Sequence, residues 1–279
     1  MNNGISGLKN IIWALAIVLS LAALLIGLIV TMVLRYNGEA QDGTMYLGGS
    51  SSSGLEDEFL GDNGIDGGQS SGGVMELPSS QDTGLEYLFN LTFLCDNSFS
   101  AVNSFGANFG STASSQVWLP AGGSLAAANA SSTTIIYPQD GTEKTPSDAA
   151  SIYEPSRLVI YLGSDQLSGT TAETFTAGYT ALVQSIQSAS PNTKIVCCSI
   201  GSVSASYAGS DGLSPELISQ ANEWIRQVCA TTGVYYADLA SILNDGDGYL
   251  IAEYASADGK SISAAGINKV MEYFRMHGI

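Results

Sequence analysis

The sequence predicts a three-layer α/β domain, in which helices cover both faces of a parallel sheet, preceded by one transmembrane helix. Three observations predict this organisation. A long apolar segment without charged residues lies near the N-terminus of the 279-residue chain. A Gly- and Ser-rich acidic segment follows it. Beyond residue 84, short apolar runs alternate with helical patterns, which is typical of a parallel sheet with helices on both sides.

The apolar segment at residues 11–34 predicts the transmembrane helix. At about 1.5 Å per residue, a helix of this length reaches about 36 Å, enough to cross a hydrocarbon core of about 30 Å. A cleaved signal peptide or a buried core helix is the alternative, although the apolar core of a signal peptide has only about 7–15 residues. Lys9 favours a cytoplasmic N-terminus and Arg35 favours the reverse. We expect residues 1–10 to be a cytoplasmic tail and the globular domain to be extracytoplasmic.

Residues 35–83 predict a flexible linker. They are rich in Gly, Ser and acidic residues, so they bury too little apolar surface to offset the entropy lost on ordering. Asp62, Asn63 and Asp66 offer oxygen atoms to a Ca²⁺ ion, but their spacing is not that of a known calcium loop. A solvated linker is therefore the preferred interpretation.

Residues 84–279 predict the α/β domain itself. Apolar runs with β-branched or aromatic residues indicate strands that are buried on both faces. These runs are Leu91–Cys95, a shorter one at residues 116–120, Arg157–Leu162, Lys194–Ile200 and Val234–Asp238.

Three helices are predicted between and after these strands. Residues 171–189 have large apolar side chains at spacings of three and four, which places them on one helix face. Ser214 followed by Pro215 predicts an N-cap and first turn, and Gly233 predicts the end of that helix. The last helix is predicted over roughly residues 263–276.

Polar and small residues directly follow the predicted strands. Ligands of such folds bind at the carboxyl ends of the strands, so these stretches predict the functional site. They are Cys95–Ser98, Ala121–Ser124, Gly163–Gln166 and, before the last helix, Ala257–Ser261.

These four stretches, in this order, resemble the motifs of the SGNH/GDSL hydrolases, and the resemblance covers about residues 85–279. In that family a Gly-Asp-Ser after the first strand carries the nucleophile. A Gly and an Asn at the next two strand ends help to bind the oxyanion, and an Asp-x-x-His precedes the last helix. The resemblance implies a flavodoxin-like three-layer fold and an ester hydrolase ancestry.

The motif residues themselves depart from the family's pattern. The nucleophilic Ser falls on Asn97, with Ser98 one place later, and the Gly falls on Gly122. The family's oxyanion-binding Asn falls on Asp165. In the Asp-x-x-His motif, the Asp falls on Asp258 and the His falls on Ser261. The resemblance therefore implies a degenerate site.

Each departure removes a group that ester hydrolysis requires. A serine nucleophile needs a base, and the single histidine, His277, lies about 20 Å from the start of the last helix at about 1.5 Å per residue. Asp165 puts a carboxylate where an oxyanion would form, and losing one donor there costs about 3–4 kcal/mol. We therefore predict a non-catalytic domain that needs no cofactor and no metal.

Alternatives remain at these positions. Asn97 and Ser98 are strong N-cap residues, but Ser98 is also a possible shifted nucleophile with Lys260 as its base. Asp165 and Asp258 could form a carboxylate pair that performs acid–base chemistry or binds a metal. The alternative is that they are loop acids whose carboxylates accept hydrogen bonds from nearby backbone N–H groups.

The charge of the chain bears on the kind of partner it binds. A formal net charge of −17 argues against nucleic acid. We expect a binding or scaffolding role at the cell envelope, with a glycan or a protein as partner. The alternatives are a carbohydrate or lipid esterase that uses Ser98 and a purely structural role.

We expect the four cysteines to be buried free thiols, although a disulfide from Cys95 or Cys229 to Cys197 or Cys198 is an open alternative.

Overall fold

The computed structural model describes residues 73–107 and 116–279 of the chain. The predicted membrane anchor at residues 11–34 and the linker up to residue 72 lie outside this part. Within the described residues, no helix is both long and apolar enough to cross a membrane.

A six-stranded parallel sheet forms the centre of the domain. Its strands are β1 (Met75–Glu76), β2 (Leu91–Cys95), β3 (Val117–Trp118), β6 (Arg157–Tyr161), β7 (Lys194–Cys198) and β8 (Tyr235–Ala237). Their order in the sheet is β3-β2-β6-β7-β8-β1, and β4 (Ile135–Ile136) and β5 (Glu143–Lys144) form a separate antiparallel pair. Each predicted strand is present: Leu91–Cys95 agrees at both ends, and the other four are shorter than predicted by one or two residues at one or both ends.

The domain begins earlier than we predicted. Residues 73–83 were assigned to the linker, but Met75 and Glu76 pair in parallel with β8. Leu77 then donates its N–H to the Tyr236 carbonyl, and its side chain is buried. Asp82 forms an ion pair with Arg275. The last part of the acidic segment is therefore held by the sheet edge and the final helix.

Helices cover the sheet in two groups. The helices are α1 (Gly84–Phe89), α2 (Val102–Ala107), α3 (Pro146–Tyr153), α4 (Ala172–Ala189), α5 (Pro215–Thr232), α6 (Ala240–Leu243) and α7 (Ala264–Arg275). Helices α3, α4 and α5 pack side by side, while α1, α2 and α6 contact α7. The three predicted helices are confirmed as α4, α5 and α7.

Ser214 and Gly233 end α5 as predicted, and Thr171 and Ser263 are further N-caps. The side chains of Thr171, Ser214 and Ser263 accept hydrogen bonds from the first turns of α4, α5 and α7. Gly233 ends α5 with a left-handed conformation at φ 68°.

Aromatic side chains fill both layers between sheet and helices. Phe93 of β2 packs against the rings of Phe99 and Phe274, with centroid distances of 6.1 and 6.4 Å. In the other layer, Phe175 contacts Tyr179 and Trp224. All four cysteines are buried free thiols, as expected, and burial raises the pKa values of Cys95, Cys197 and Cys198.

Gly178 fixes the distance between α4 and the 3₁₀ helix Ala127–Asn129. A Cβ atom at this position would lie 2.4 Å from the Ala127 carbonyl oxygen and 2.6 Å from the Ala128 carbonyl carbon. We expect Gly178→Ala to lower the free energy of unfolding by about 1–3 kcal/mol, because overpacking against backbone outweighs the gain of about 0.5–1 kcal/mol in helix propensity.

Urea denaturation of the full-length chain checks this prediction. Gln184→Ala, at an exposed position of the same helix, is the matched control and should change stability by less than about 0.5 kcal/mol. A Gly178→Ala variant as stable as the control would show that the two elements separate at little cost.

Candidate functional site

The site begins where β2 ends. Asp96 has an extended backbone, and the 3₁₀ helix Asn97–Phe99 starts directly after it. One carboxylate oxygen of Asp96, Oδ1, accepts hydrogen bonds from the Ser98 N–H at 2.9 Å and from the Ser98 hydroxyl at 2.5 Å. The N-cap is therefore Asp96, and our prediction that Asn97 and Ser98 cap this helix was wrong. An extended residue before a helical turn is the position that an Asp cap requires.

Asp96 also connects the ends of two neighbouring strands. Besides its bonds to Ser98, its carboxylate accepts hydrogen bonds from the Gly163 N–H and, at 3.4 Å, from the Ser164 hydroxyl, both of which follow β6. Burial of the fully enclosed side chain, with the charge of Asp165 nearby, raises the pKa of Asp96 to about 7. This buried carboxyl group therefore connects the ends of β2 and β6.

Asn97 is the first residue of this 3₁₀ turn, where the resemblance predicts the nucleophile. Its N–H donates to the Gly123 carbonyl at 2.7 Å, and its side chain is exposed. A Cβ atom on Gly123 would lie 3.0 Å from the Asn97 Cβ and 3.2 Å from its Oδ1. The structure thus places Gly123, at φ 73°, against the nucleophile position, whereas a Cβ on Gly122 would meet nothing within 4 Å. Sequence reasoning chose the first of two adjacent glycines and missed the second.

Asp165 follows β6 and faces the β3 loop. Its Oδ2 accepts a hydrogen bond from the Leu125 N–H at 2.8 Å. This contact supports the interpretation of Asp165 as a loop acid satisfied by the backbone. Among the described residues, no group of three or more His, Cys, Asp and Glu side chains is arranged to hold a metal ion.

Asp258 and Ser261 form the remaining part of the site. The Ser261 hydroxyl donates to Asp258 Oδ2 at 2.6 Å, and its N–H donates to Oδ1 at 2.9 Å. Burial opposes ionisation of Asp258, but the hydrogen bonds from Ser261 and from the Lys260 N–H keep its pKa below the usual value. The next N–H, of Ile262, donates to the Ser98 carbonyl at 2.7 Å, so this loop lies directly beside the Asn97–Phe99 turn.

Lys260 is already engaged at the edge of the site. Its ammonium group lies 2.8 Å from Asp211 Oδ2, and the Tyr207 hydroxyl also donates to Asp211. The hydrogen bond with Asp211 raises the pKa of Lys260, and burial opposes it only in part. A lysine that holds its proton more tightly is less suited to act as the base for Ser98.

His277 lies at the opposite end of α7 from Ser263 and the Ser261 loop. Its ring stacks on Tyr273 at a centroid distance of 3.9 Å, and its Nδ1 lies 2.7 Å from the Tyr273 carbonyl. The ring is held by its own helix turn and is not directed to the cleft.

The described residues bring an exposed amide, a backbone-bonded carboxylate and a hydroxyl to the carboxyl edge of the sheet. They belong to Asn97, Asp165 and Ser261. The Ser261 hydroxyl already donates to Asp258, so it offers no proton acceptor of the required strength. Asn97 has an exposed amide that can both donate and accept hydrogen bonds, which suits binding.

Several solved structures are similar to this chain. A crystal structure of a GDSL-like lipase from Bacteroides thetaiotaomicron is 10% identical, with a TM-score of 0.46 over 70% of this chain and 90% of that one. A carbohydrate esterase family 3 structure from Talaromyces cellulolyticus is 13% identical, with a TM-score of 0.44 over 66% of this chain and 93% of the other. None of the curated proteins compared with the chain matches it.

The family profile described as GDSL-like Lipase/Acylhydrolase matches residues 103–262. The match starts after the Asn97–Phe99 turn. It includes the stretches Ala121–Ser124, Gly163–Gln166 and Ala257–Ser261 and spans more than half of the 279 residues. The chain therefore belongs to the GDSL-like lipase/acylhydrolase family.

Proposed function

We propose that this domain is a non-hydrolytic member of its family that binds a ligand in the cleft around Asn97. The observation that carries the proposal is the pairing of Ser261 with Asp258 at 2.6 Å, because it puts a hydrogen-bond donor in place of the general base. Asn97 then offers an exposed amide instead of a nucleophile. The cleft holds molecules without cleaving them.

The ligand class follows from the charges at the cleft. Asp165 and Asp258 contribute carboxylates, while the ammonium of Lys260 is paired with Asp211. An anionic ligand is repelled, and a neutral glycan or an uncharged protein loop fits better. With residues 11–34 as a membrane anchor, the domain would present this cleft at the cell envelope, outside the cytoplasm. The anchor and this location are part of the proposal.

The first experiment tests hydrolysis. We expect the purified full-length chain to hydrolyse p-nitrophenyl acetate no faster than its Ser98→Ala variant, and to resist labelling by a fluorophosphonate. Labelling of wild type that disappears in Ser98→Ala would refute the non-hydrolytic proposal.

One contact favours a second candidate function, an acyl-ester hydrolase that uses Ser98. The Ser98 hydroxyl lies 2.5 Å from a carboxylate whose pKa is raised to about 7, by burial above all. A base in this pKa range is suited to proton abstraction at neutral pH. Against it, Asp96 Oδ1 also accepts the Ser98 N–H, which is the ordinary bonding of a helix cap. The labelling experiment decides between the two candidates.

A second experiment tests binding in the cleft. We expect an oligosaccharide panel to contain at least one neutral member that raises the melting temperature of the full-length chain. Asn97→Ala should remove that shift, whereas Asn268→Ala, at an exposed position of α7, should keep it. Equal shifts in both variants would place the ligand elsewhere.

A further inference from the structure

A second cavity lies at the carboxyl ends of β7 and β8, on the part of the sheet edge that the Asn97 cleft does not use. Its volume is about 440 Å³, and α5, α6 and the loop after α6 form its walls. Small-molecule sites occupy about 300–1,000 Å³ and occur beyond the carboxyl ends of strands in open α/β sheets. Its size and place therefore suit a small ligand.

The cavity is lined by side chains that form many hydrogen bonds. Two carboxylates, two carboxamides and a hydroxyl face it, and neither Lys nor Arg is among its lining residues. They are Glu216, Ser219, Asn222, Asn244 and Asp247, beside the apolar side chains of Ile218 and Ala240.

Both carboxamides are held by bonds to the backbone behind them. Asn222 accepts the Ile200 N–H at 2.8 Å and donates to the Ile200 carbonyl at 3.0 Å. Asn244 accepts the Ser202 N–H at 2.9 Å through Oδ1. This bond fixes the side chain and leaves its NH₂ group for another acceptor.

An unsatisfied polar atom lies next to this wall. The Ser202 hydroxyl is fully buried and has no hydrogen-bond partner, although the N–H of the same residue is bound to Asn244. Buried hydroxyl groups without a partner cost free energy and are rare in folded proteins. Ser202 does not line the cavity, so its hydroxyl belongs to the polar layer behind Asn244 and does not itself contact a ligand.

The carboxylates that line the cavity limit which ligands it can bind. Hydrogen bonds from its own N–H and from Ser214 lower the pKa of Glu216, so this carboxylate is ionised and already occupies the first turn of α5. An anion is therefore excluded from the cavity. A protonated amine would use the carboxylates but leave the NH₂ group of Asn244 without an acceptor.

We propose that this cavity binds one residue of a neutral saccharide. Sugar hydroxyls donate to Glu216 and Asp247 and accept from the NH₂ group of Asn244, while the C–H face of the ring packs on Ile218 and Ala240. The site is separate from the Asn97 cleft, so it stands whether or not the proposed function of that cleft holds.

The test is a calorimetric titration of the full-length chain with three tetrasaccharides of different charge. Cellotetraose is neutral, the tetramer of glucosamine is cationic, and tetragalacturonate is anionic. We expect cellotetraose alone to bind. Asn244→Asp should weaken it at least about tenfold, because the carboxylate still accepts the Ser202 N–H but no longer donates to the sugar.

Asn268→Ala, at an exposed position of α7, is the control and should leave cellotetraose binding unchanged. Loss of binding in Asn97→Ala with full binding in Asn244→Asp would assign the sugar to the other cleft and overturn the inference. Absence of cellotetraose binding, or tighter binding of the glucosamine tetramer than of cellotetraose, would also overturn it.

Discussion

The combined substitutions Asn97→Ser, Asp165→Asn and Ser261→His are expected to convert this domain into an esterase. The three changes return a nucleophile, an oxyanion donor and a general base to positions that the fold already brings together. General-base catalysis contributes about 10²–10⁴-fold, and one oxyanion donor about 10²–10³-fold. We expect the hydrolysis rate of p-nitrophenyl acetate to rise at least about 10⁴-fold over the wild-type background.

The geometry supports each replacement. Position 261 already contacts Asp258, which would orient an imidazole as it now orients the hydroxyl. An amide oxygen at position 165 keeps the acceptor for the Leu125 N–H and exposes an NH₂ donor in place of a charge. The N–H of Ile262 holds the loop against the turn that carries position 97.

Single and double variants separate these contributions. Asn97→Ser alone should stay near background, because it still lacks a base, and the double variant without Asp165→Asn should fall about 10²-fold or more below the triple variant. A triple variant that is folded by circular dichroism but is not labelled by a fluorophosphonate would show that the strand ends do not assemble the family's site.

Stability should decrease between pH 4 and pH 8 because of Asp96. Burial first, and then the charge of Asp165, raises the pKa of this carboxyl from 3.8 to about 7 in the folded chain. Its proton is therefore bound more tightly in the folded state than in the unfolded state. The stabilisation is complete below the unfolded pKa and is lost as pH rises through the folded pKa. The free energy of unfolding should fall by at most about 4 kcal/mol, because each unit of pKa difference between the folded and unfolded states contributes about 1.4 kcal/mol.

Denaturation at several pH values measures this effect as a difference between variants. Asp96→Asn should remove the decline between pH 4 and 8, although it also weakens the bonds with Gly163 and Ser164. Asp165→Asn should move the midpoint of the decline to lower pH, because it removes the neighbouring charge. Glu173→Gln, at an exposed position of α4, should leave the profile unchanged. Identical pH profiles for wild type and Asp96→Asn would contradict the prediction.

The sequence was sufficient for the elements whose signals are local. Continuous apolar runs predicted the main strands, and residues such as Ser214, Pro215 and Gly233 predicted where α5 begins and ends. The rule that ligands bind at strand ends predicted which stretches meet around Asn97. Strand β1 was missed because Met75 and Glu76 have no strand signal of their own and depend on pairing with β8.

Parts of the site depend on contacts between distant residues. Gly123, and not Gly122, lies against Asn97. Nothing in the sequence distinguishes two adjacent glycines, so only the folded structure shows which one makes this contact. The engagement of Lys260 by Asp211 joins two loops that are far apart in the chain. The network of Asp96 with Gly163 and Ser164 requires the register of β2 against β6, which only the folded sheet provides.

The buried free thiols affect how this protein can be handled and where it can mature. None of the four cysteines forms a crosslink, so the melting temperature should be the same with and without dithiothreitol. Folding then needs no disulfide isomerase and can finish in reducing or oxidising surroundings alike. Alkylating reagents should modify the thiols only when the chain unfolds, which makes them internal reporters of global opening.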